Sequence, residues 1–335
     1  MSIKPDSLQI ETFVDVLEQE PWIVQTPSRR WWPKYLFHFT DLKNAVKIIS
    51  SDKFLSRAVL QSTQSLPIDI ADPNVIQNTA NSILQNVRLY FRPLTNMQWN
   101  IEGFAPGKTN KHCPVPIVFL LDSKSILTKT GVRFSDGNLG STNANIGSDY
   151  NFLSALPFEK IYHDSSLWGL AQADANKIKY HRHAEVIVPN ELSTNYVKNI
   201  WCRTPAEHQT LLKLLPNDSV RKWGKKIGVG PQYQLFHRVW NFVEEASLDQ
   251  EHTTLKFHRH GNPTNHGPFN LKISFTAVND PFAPLFTWEQ TNYMLPEFLK
   301  IPIFNIPFKD AYRIELTLDG HTACVATFDS TDLFF

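Results

Sequence analysis

The sequence predicts an α+β fold in which strands and helices alternate at first and strands dominate towards the end. Three observations carry this. Tyr35-Leu36-Phe37-His38-Phe39-Thr40 is a strand by composition; it runs into Asp41, a good N-cap, and Leu42, Ala45, Val46, Ile48 and Ile49 then recur at helical spacing. Val115 to Leu121 is a continuous apolar run with prolines about it and Asp122 beyond, the pattern of a buried strand. Finally, Tyr312 to Thr317 and Val325 to Phe328 are alternating runs meeting across Asp319-Gly320, a strong hairpin signal.

The remaining elements follow from the same rules. Leu8, Phe13, Val14 and Leu17 give residues 7–19 an amphipathic helical pattern that ends before Pro21. Residues 21–34 hold Trp22, Arg29, Arg30, Trp31, Trp32 and Pro33 and read as an ordered loop: either a hydrophobic plug with solvated arginines or a grip on nucleic acid. Residues 75–87, free of proline and glycine, predict a helix, and Val87 to Phe91 a strand ended by Pro93. Residues 131–149 are rich in Gly, Asn and Ser and predict a long loop of the kind that often carries function. Ile178 to Val188 and Val197 to Trp201 are strand candidates, and Thr204-Pro205-Ala206-Glu207 opens a helix running to about Leu215. The Pro-, Gly- and Lys-rich stretch 216–231 reads as a boundary, a helix over 235–246 as its sequel, and Leu271 to Val278 as a strand.

Composition narrows the class. A chain of 335 residues with 42% hydrophobic and 19% charged residues buries a substantial core. Lys+Arg 33 against Asp+Glu 32 gives a net charge of +1, so a nucleic-acid partner would have to be met by a local patch. Cys113, Cys202 and Cys324 are odd in number and widely spaced, which points to reduced thiols in a cytoplasm. Met1 to Glu20 carries acids and no signal-like apolar run, and no stretch approaches a membrane span, so a cytoplasmic location and no membrane partner are expected.

The histidines His181, His183, His258, His260 and His266 lack a cysteine or carboxylate at ligand spacing, so no metal is expected. Walker A, G-x-G-x-x-G and G-x-S-x-G patterns are absent. The most informative stretch is His181-Arg182-His183-Ala184-Glu185-Val186-Ile187-Val188-Pro189. It sets one carboxylate at the start of a buried strand, where it needs partners. Read alone, Glu185 is either an edge glutamate paired with Arg182 or a functional acid. His38 and Thr40, two apart on a strand, project to one face, and Asn44 lies one turn into the next helix, a notch suited to the ribose and amide of a dinucleotide. His38 alone would equally suit a satisfied core position.

In order and spacing, these pieces resemble the DarT-type nucleic-acid ADP-ribosyltransferases. The resemblance rests on His38-Phe39-Thr40 with Asn44, Ile70-Ala71-Asp72-Pro73-Asn74-Val75, Tyr90-Phe91-Arg92-Pro93 with Met97, and Ala184-Glu185-Val186-Ile187-Val188, over about residues 33–215. It implies a split mixed sheet with helices around an NAD cleft, and transfer of ADP-ribose from NAD to a base of single-stranded DNA by a toxin or phage-defence effector. It implies Glu185 and Arg92 as catalytic residues, with Arg92 near the pyrophosphate or incoming base, and His38, Thr40, Asn44, Arg57, Tyr90 and Met97 as cofactor-binding residues.

The family's arginine after the Ala-Asp-Pro motif is missing here: that region reads Ile76-Gln77-Asn78-Thr79, with no arginine before Arg88. The acceptor base therefore stays open, as does the same transfer onto RNA. A non-catalytic binding module and transfer to a protein side chain are the alternatives from other classes. The expected division is 1–33, an N-terminal helix and Trp/Arg-rich loop; 34–215, the transferase domain; and 216–335, a β-rich region that could recognise the target, cap the site or bind an antitoxin or chaperone. Trp31, Trp99, Arg29, Arg30 and Arg133 are candidate contacts for the strand.

Overall fold

A computed structural model describes residues 1–63, 81–108, 113–230, 234–278, 280–303 and 310–331. The Ile70–Val75 motif and most of the helix expected over 75–87 lie outside these residues; the described part of that helix is a turn at Asn81–Leu84.

Helix α1 (Ser7–Gln19) buries Ile10, Val14 and Leu17. Strand β1 (Tyr35–Asp41) leads directly into helix α2 (Leu42–Ser51), whose first turn is capped by Asp41 accepting the Lys43 N–H at 2.9 Å. There follow β2 (Lys53–Leu55), the short helix α3 (Arg57–Ser62), β3 (Asn86–Tyr90), helix α4 (Asn96–Ile101) and β4 (Pro116–Asp122). The stretch expected to be one long loop contains two short strands, β5 (Arg133–Ser135) and β6 (Ile146–Gly147). Helix α5 (Gln172–His181) precedes β7 (Glu185–Pro189), so the strand expected over 178–188 is half helix: Ile178 and Tyr180 alternate, but the preceding Gln-Ala-Asp-Ala-Asn-Lys run carries the helix through them. Then come β8 (Glu191–Ser193), β9 (Val197–Cys202), helix α6 (Pro205–Leu214), helix α7 (Asn217–Trp223) and β10 (Ile227–Val229).

Eight of these strands form one sheet in the order β10-β9-β4-β1-β3-β7-β5-β6. All neighbours are antiparallel except β10 and β9, which makes the sheet mixed. The join between β1 and β3 is a single residue pair, Phe37 opposite Tyr90. By contrast β1 pairs with β4 over seven positions and β3 with β7 over five. The sheet therefore splits at β1/β3 into two halves, and residues of both halves meet at that split.

The last third of the chain is β-rich, as expected. It contains β11 (Phe242–Leu248), β12 (His252–His258), β13 (Phe269–Ala277), β14 (Asp280–Tyr293), β15 (Phe298–Pro302), β16 (Ala311–Leu318) and β17 (His321–Asp329). They form a sheet β11-β12-β15 and a sheet β14-β13-β16-β17. No helix occupies 235–246: residues 235–241 run as irregular chain and β11 starts at Phe242. The Asp319-Gly320 hairpin forms as expected, with φ of 49° and 78°, the left-handed pair that a two-residue turn of this hand requires. Helix α6 ties this region to the large sheet: the Thr204 hydroxyl donates to Val243 O at 2.8 Å, and Thr210 Oγ1 accepts the Val325 N–H at 2.9 Å.

Candidate active site

Glu185 opens β7, and its side chain is 1% exposed. It is not an edge residue, because β7 lies between β3 and β5. Its partner is not Arg182 either. Arg88 on β3 donates from Nε to Oε2 and from Nη2 to Oε1, each at 2.5 Å, a bidentate fork. The register explains the meeting. Tyr90 lies opposite Glu185 and Arg88 opposite Ile187, so Arg88 is the diagonal neighbour of Glu185 on the same face. Burial opposes the charge on Arg88, but the adjacent Glu185 carboxylate outweighs it, and the guanidinium is held above its usual range. Burial, then the charge of Glu185, likewise pushes the Tyr90 phenol up, so that it stays protonated.

The long loop after β5 closes the other side. Ser135 Oγ accepts the Glu185 N–H at 2.9 Å and donates to Gly137 O at 2.7 Å. The Leu139 N–H points at Glu185 Oε1 at 3.4 Å. Tyr180 and His181, at the end of α5, anchor this loop at Asp136, through Tyr180 Oη to Oδ1 and His181 Nδ1 to the carbonyl, both at 2.6 Å. Gly137 passes so close to Tyr180 that a Cβ there would stand 2.3 Å from the ring.

His38 faces the split from β1. Its Nδ1 lies 3.1 Å from Arg88 O, and its ring meets Phe54 edge-on at 5.1 Å. Burial pushes the imidazole down to about 4, against the favourable pull of the Arg88 carbonyl. His38 is therefore neutral near pH 7, with Nδ1–H donating to that carbonyl. Thr40 is buried on the same strand face, two residues on. Asn44 is half-buried in the first turn of α2. Arg57 begins α3, where Ser56 caps the helix, and Met97 is partly buried in α4 against the core.

The structure thus brings His38, Tyr90 and Glu185 together around Arg88, a residue not singled out in the sequence. Arg92 is drawn elsewhere. Its side chain is buried, donating from Nε to Pro93 O at 2.9 Å and from Nη1 to His163 O, with the guanidinium 5.0 Å from the Trp32 ring. Burial first, then the charge of Arg182, pushes it down to about 9. Among the described residues, the donors on the Glu185 carboxylate are Arg88 and the Leu139 N–H. Arg182, expected as the partner of Glu185, donates at 2.6 Å to His163 Nδ1 and to Ser165 O. Arg29 reaches Tyr162 O at 3.3 Å and Asp164 at 3.6 Å. These three arginines clasp residues 162–165, and Trp168 just beyond is 94% exposed. Among the described residues, no group of three or more His, Cys, Asp or Glu is placed to hold a metal ion.

A family model described as "ssDNA thymidine ADP-ribosyltransferase, DarT" matches residues 37–234, which span both halves of the split sheet and the Glu185 pocket. The chain belongs to the DarT family. Solved structures of the family are similar at low identity. Thermus sp. 2.9 DarT in complex with ADP-ribosylated single-stranded DNA is 16% identical over 60% of this chain and 96% of that one, with a TM-score of 0.46. The same protein in complex with NAD+ is 14% identical over 60% and 97%, with a TM-score of 0.45. Thermosipho africanus DarTG in complex with ADP-ribose is 14% identical over 65% and 53%, with a TM-score of 0.47. No curated protein matches the chain. The family match stops at Gln234, so β11 to β17 lie beyond the matched residues.

Proposed function

We propose that this DarT-family chain transfers ADP-ribose from NAD to a nucleobase of single-stranded DNA, as a toxin or phage-defence effector, with Glu185 as its catalytic carboxylate. The observation that supports this best is the position of Glu185. It is a buried acid on a rigid strand, beside the split in the sheet, gripped by one arginine and with lone pairs to spare.

The chemistry follows from that position. Breaking the bond between nicotinamide and ribose leaves an oxocarbenium-like sugar, and neutral nicotinamide departs with the bonding electrons. Glu185 accepts hydrogen bonds from the ribose hydroxyls and stabilises the developing positive charge. A base nitrogen then forms the new bond to the sugar carbon and gives up its proton, which the Glu185 carboxylate can accept. Arg88 fixes the carboxylate in one rotamer. Neutral His38, with its Nδ1–H committed to Arg88 O, keeps Nε2 as an acceptor for a cofactor group in this reading, and Thr40 lies on the same strand face. Tyr90, Asn44, Arg57 and Met97 line the same cleft in this reading, and Arg92 acts through the clasp on residues 162–165. A base stacked in a duplex cannot present its nitrogen, so the acceptor is single-stranded or flipped, and exposed Trp168 offers it a stacking face.

The test is label transfer from radioactive NAD. Wild type and Glu185→Gln are each offered single-stranded DNA, RNA and a protein lysate. Label on DNA that disappears in the variant is the expected result. Label on RNA alone would move the acceptor, and intact NAD in every tube would turn the chain into a binding module.

A further inference from the structure

We infer that the extension beyond the DarT core completes a second nucleotide subsite of this chain, in which Trp99 stacks a base flanking the target and Lys108 holds its phosphate. The inference rests on single-stranded DNA being the substrate.

Trp99 lies on α4, two residues from Met97, and is 51% exposed. A half-exposed indole leaves a large apolar face in water. It is also immobilised: His237, from the chain beyond the core, meets it edge-on at 5.0 Å, and the His237 Nε2 lies 3.2 Å from Thr95 O at the start of the same helix. The two ring planes stand 79° apart, so His237 holds the indole without stacking on it. Lys108 is brought to the same place. Its Nζ donates to Asn100 O, next to Trp99, and stands 5.0 Å from the Trp240 ring. Trp240 is in turn stacked on His260 at 4.8 Å and 25°. Both of these rings come from the extension.

Two things select a nucleotide for this place. An indole face and a fixed ammonium one residue apart match the base and phosphate of one unit, and both contacts tolerate any sequence. Lys108 makes no ion pair among the described residues, whereas the cations further out are matched, Arg238 by Glu244 at 3.1 Å and Arg259 by Glu297 at 3.6 Å. The backbone joins the subsite to the pocket already described: β3, which carries Arg88, ends at Tyr90, and α4, which carries Trp99, begins at Asn96.

The test uses the whole chain and an unstructured single strand of about ten nucleotides, a length within the usual span of such sites. Binding is followed by fluorescence anisotropy and, separately, transfer by label. Trp99→Ala is expected to weaken binding about ten-fold, the effect of losing one stacked base. Lys108→Glu should weaken it similarly and flatten its salt dependence by about one phosphate contact. Trp240→Ala, which releases Lys108 without touching the strand, should do the same to a smaller extent. Equal binding by wild type and all three variants would overturn the subsite while leaving the transfer reaction standing. Weakened binding without any transfer would keep the subsite and overturn the reaction. Weakening confined to an RNA strand of the same length would give the surface to RNA and overturn the inference as stated.

Discussion

Arg88 and Arg203 each grip a buried glutamate, but the two clusters differ in what is left over. Arg203 is fully buried. It donates to Glu207 from Nε at 3.1 Å, to Glu102 from Nη1 at 3.3 Å and to Pro114 O from Nη2 at 3.0 Å, and it lies 3.8 Å from the Phe242 ring. Glu102 in turn accepts from Arg203, from the N–H groups of His237 and Arg238, and from the Gln98 amide, which uses up its lone pairs. At the other cluster the Arg88 side chain is 32% exposed, and Glu185 has two strong donors and one long one. A saturated network has no capacity for a ligand and serves to join the extension to the core. An unsaturated one, at the edge of a notch, still has acceptor sites for a substrate hydroxyl.

The difference can be broken from either side. Arg203→Ala takes the counter-charge from two buried carboxylates, Glu207 and Glu102, and the expected loss is about 3–5 kcal/mol of folding free energy, read from the denaturant midpoint; a loss below about 1 kcal/mol would remove the structural role. Glu185→Gln leaves behind an Arg88 side chain that is 32% exposed, so it should lower the midpoint less than Arg203→Ala does, and it should lower the transfer rate roughly 10²–10³-fold, the usual effect of deleting one group aimed at developing charge.

The pH dependence sharpens the same contrast. His38 is pushed down from 6.5 to about 4 by burial, so the unfolded chain takes up a proton before the folded one does. Its contribution is complete above pH 6.5, shrinks as the pH falls and is gone below about 4, at most about 3 kcal/mol in all. His38→Asn should lose this part of the acid slope in unfolding titrations; an unchanged slope would mean that His38 is not buried as described. The smallest effect is expected at Gly137, where an added methyl collides with Tyr180. Gly137→Ala should displace the loop that carries the Leu139 N–H, lowering stability by about 1–3 kcal/mol and slowing transfer, with Tyr180→Ala in the same chain restoring part of the rate.

The sequence was legible where a local rule decides. Residues 7–19, the Asp41 cap, Val115–Leu121, the Thr204 helix start and the Asp319-Gly320 hairpin all form as their spacing says. Glu185, which alone reads equally as an edge glutamate, stood out through its company, His38-Phe39-Thr40 and Tyr90-Phe91-Arg92-Pro93 preceding it in the order of the family resemblance. Arg88 did not, because its partner is 97 residues away and its meeting with Glu185 depends on strand register. The one available signal was the polar face of β3, where Asn86, Arg88 and Tyr90 alternate with Val87 and Leu89. The pairing of Arg182 with Glu185 failed for the converse reason: neighbours in sequence are separated when the chain turns from α5 into β7. Residues 235–246 look helical by composition, yet their N–H groups at 237 and 238 are taken by Glu102, which holds the segment irregular until β11 begins.

The most direct measurement is the rate of ADP-ribose transfer to single-stranded DNA per folded molecule, in Glu185→Gln beside Glu207→Gln. The account predicts that Glu185→Gln is folded and nearly inactive, whereas Glu207→Gln loses rate only in proportion to the protein that unfolds. A folded Glu185→Gln that keeps its rate, or a folded Glu207→Gln that loses it, would contradict the division between the two clusters.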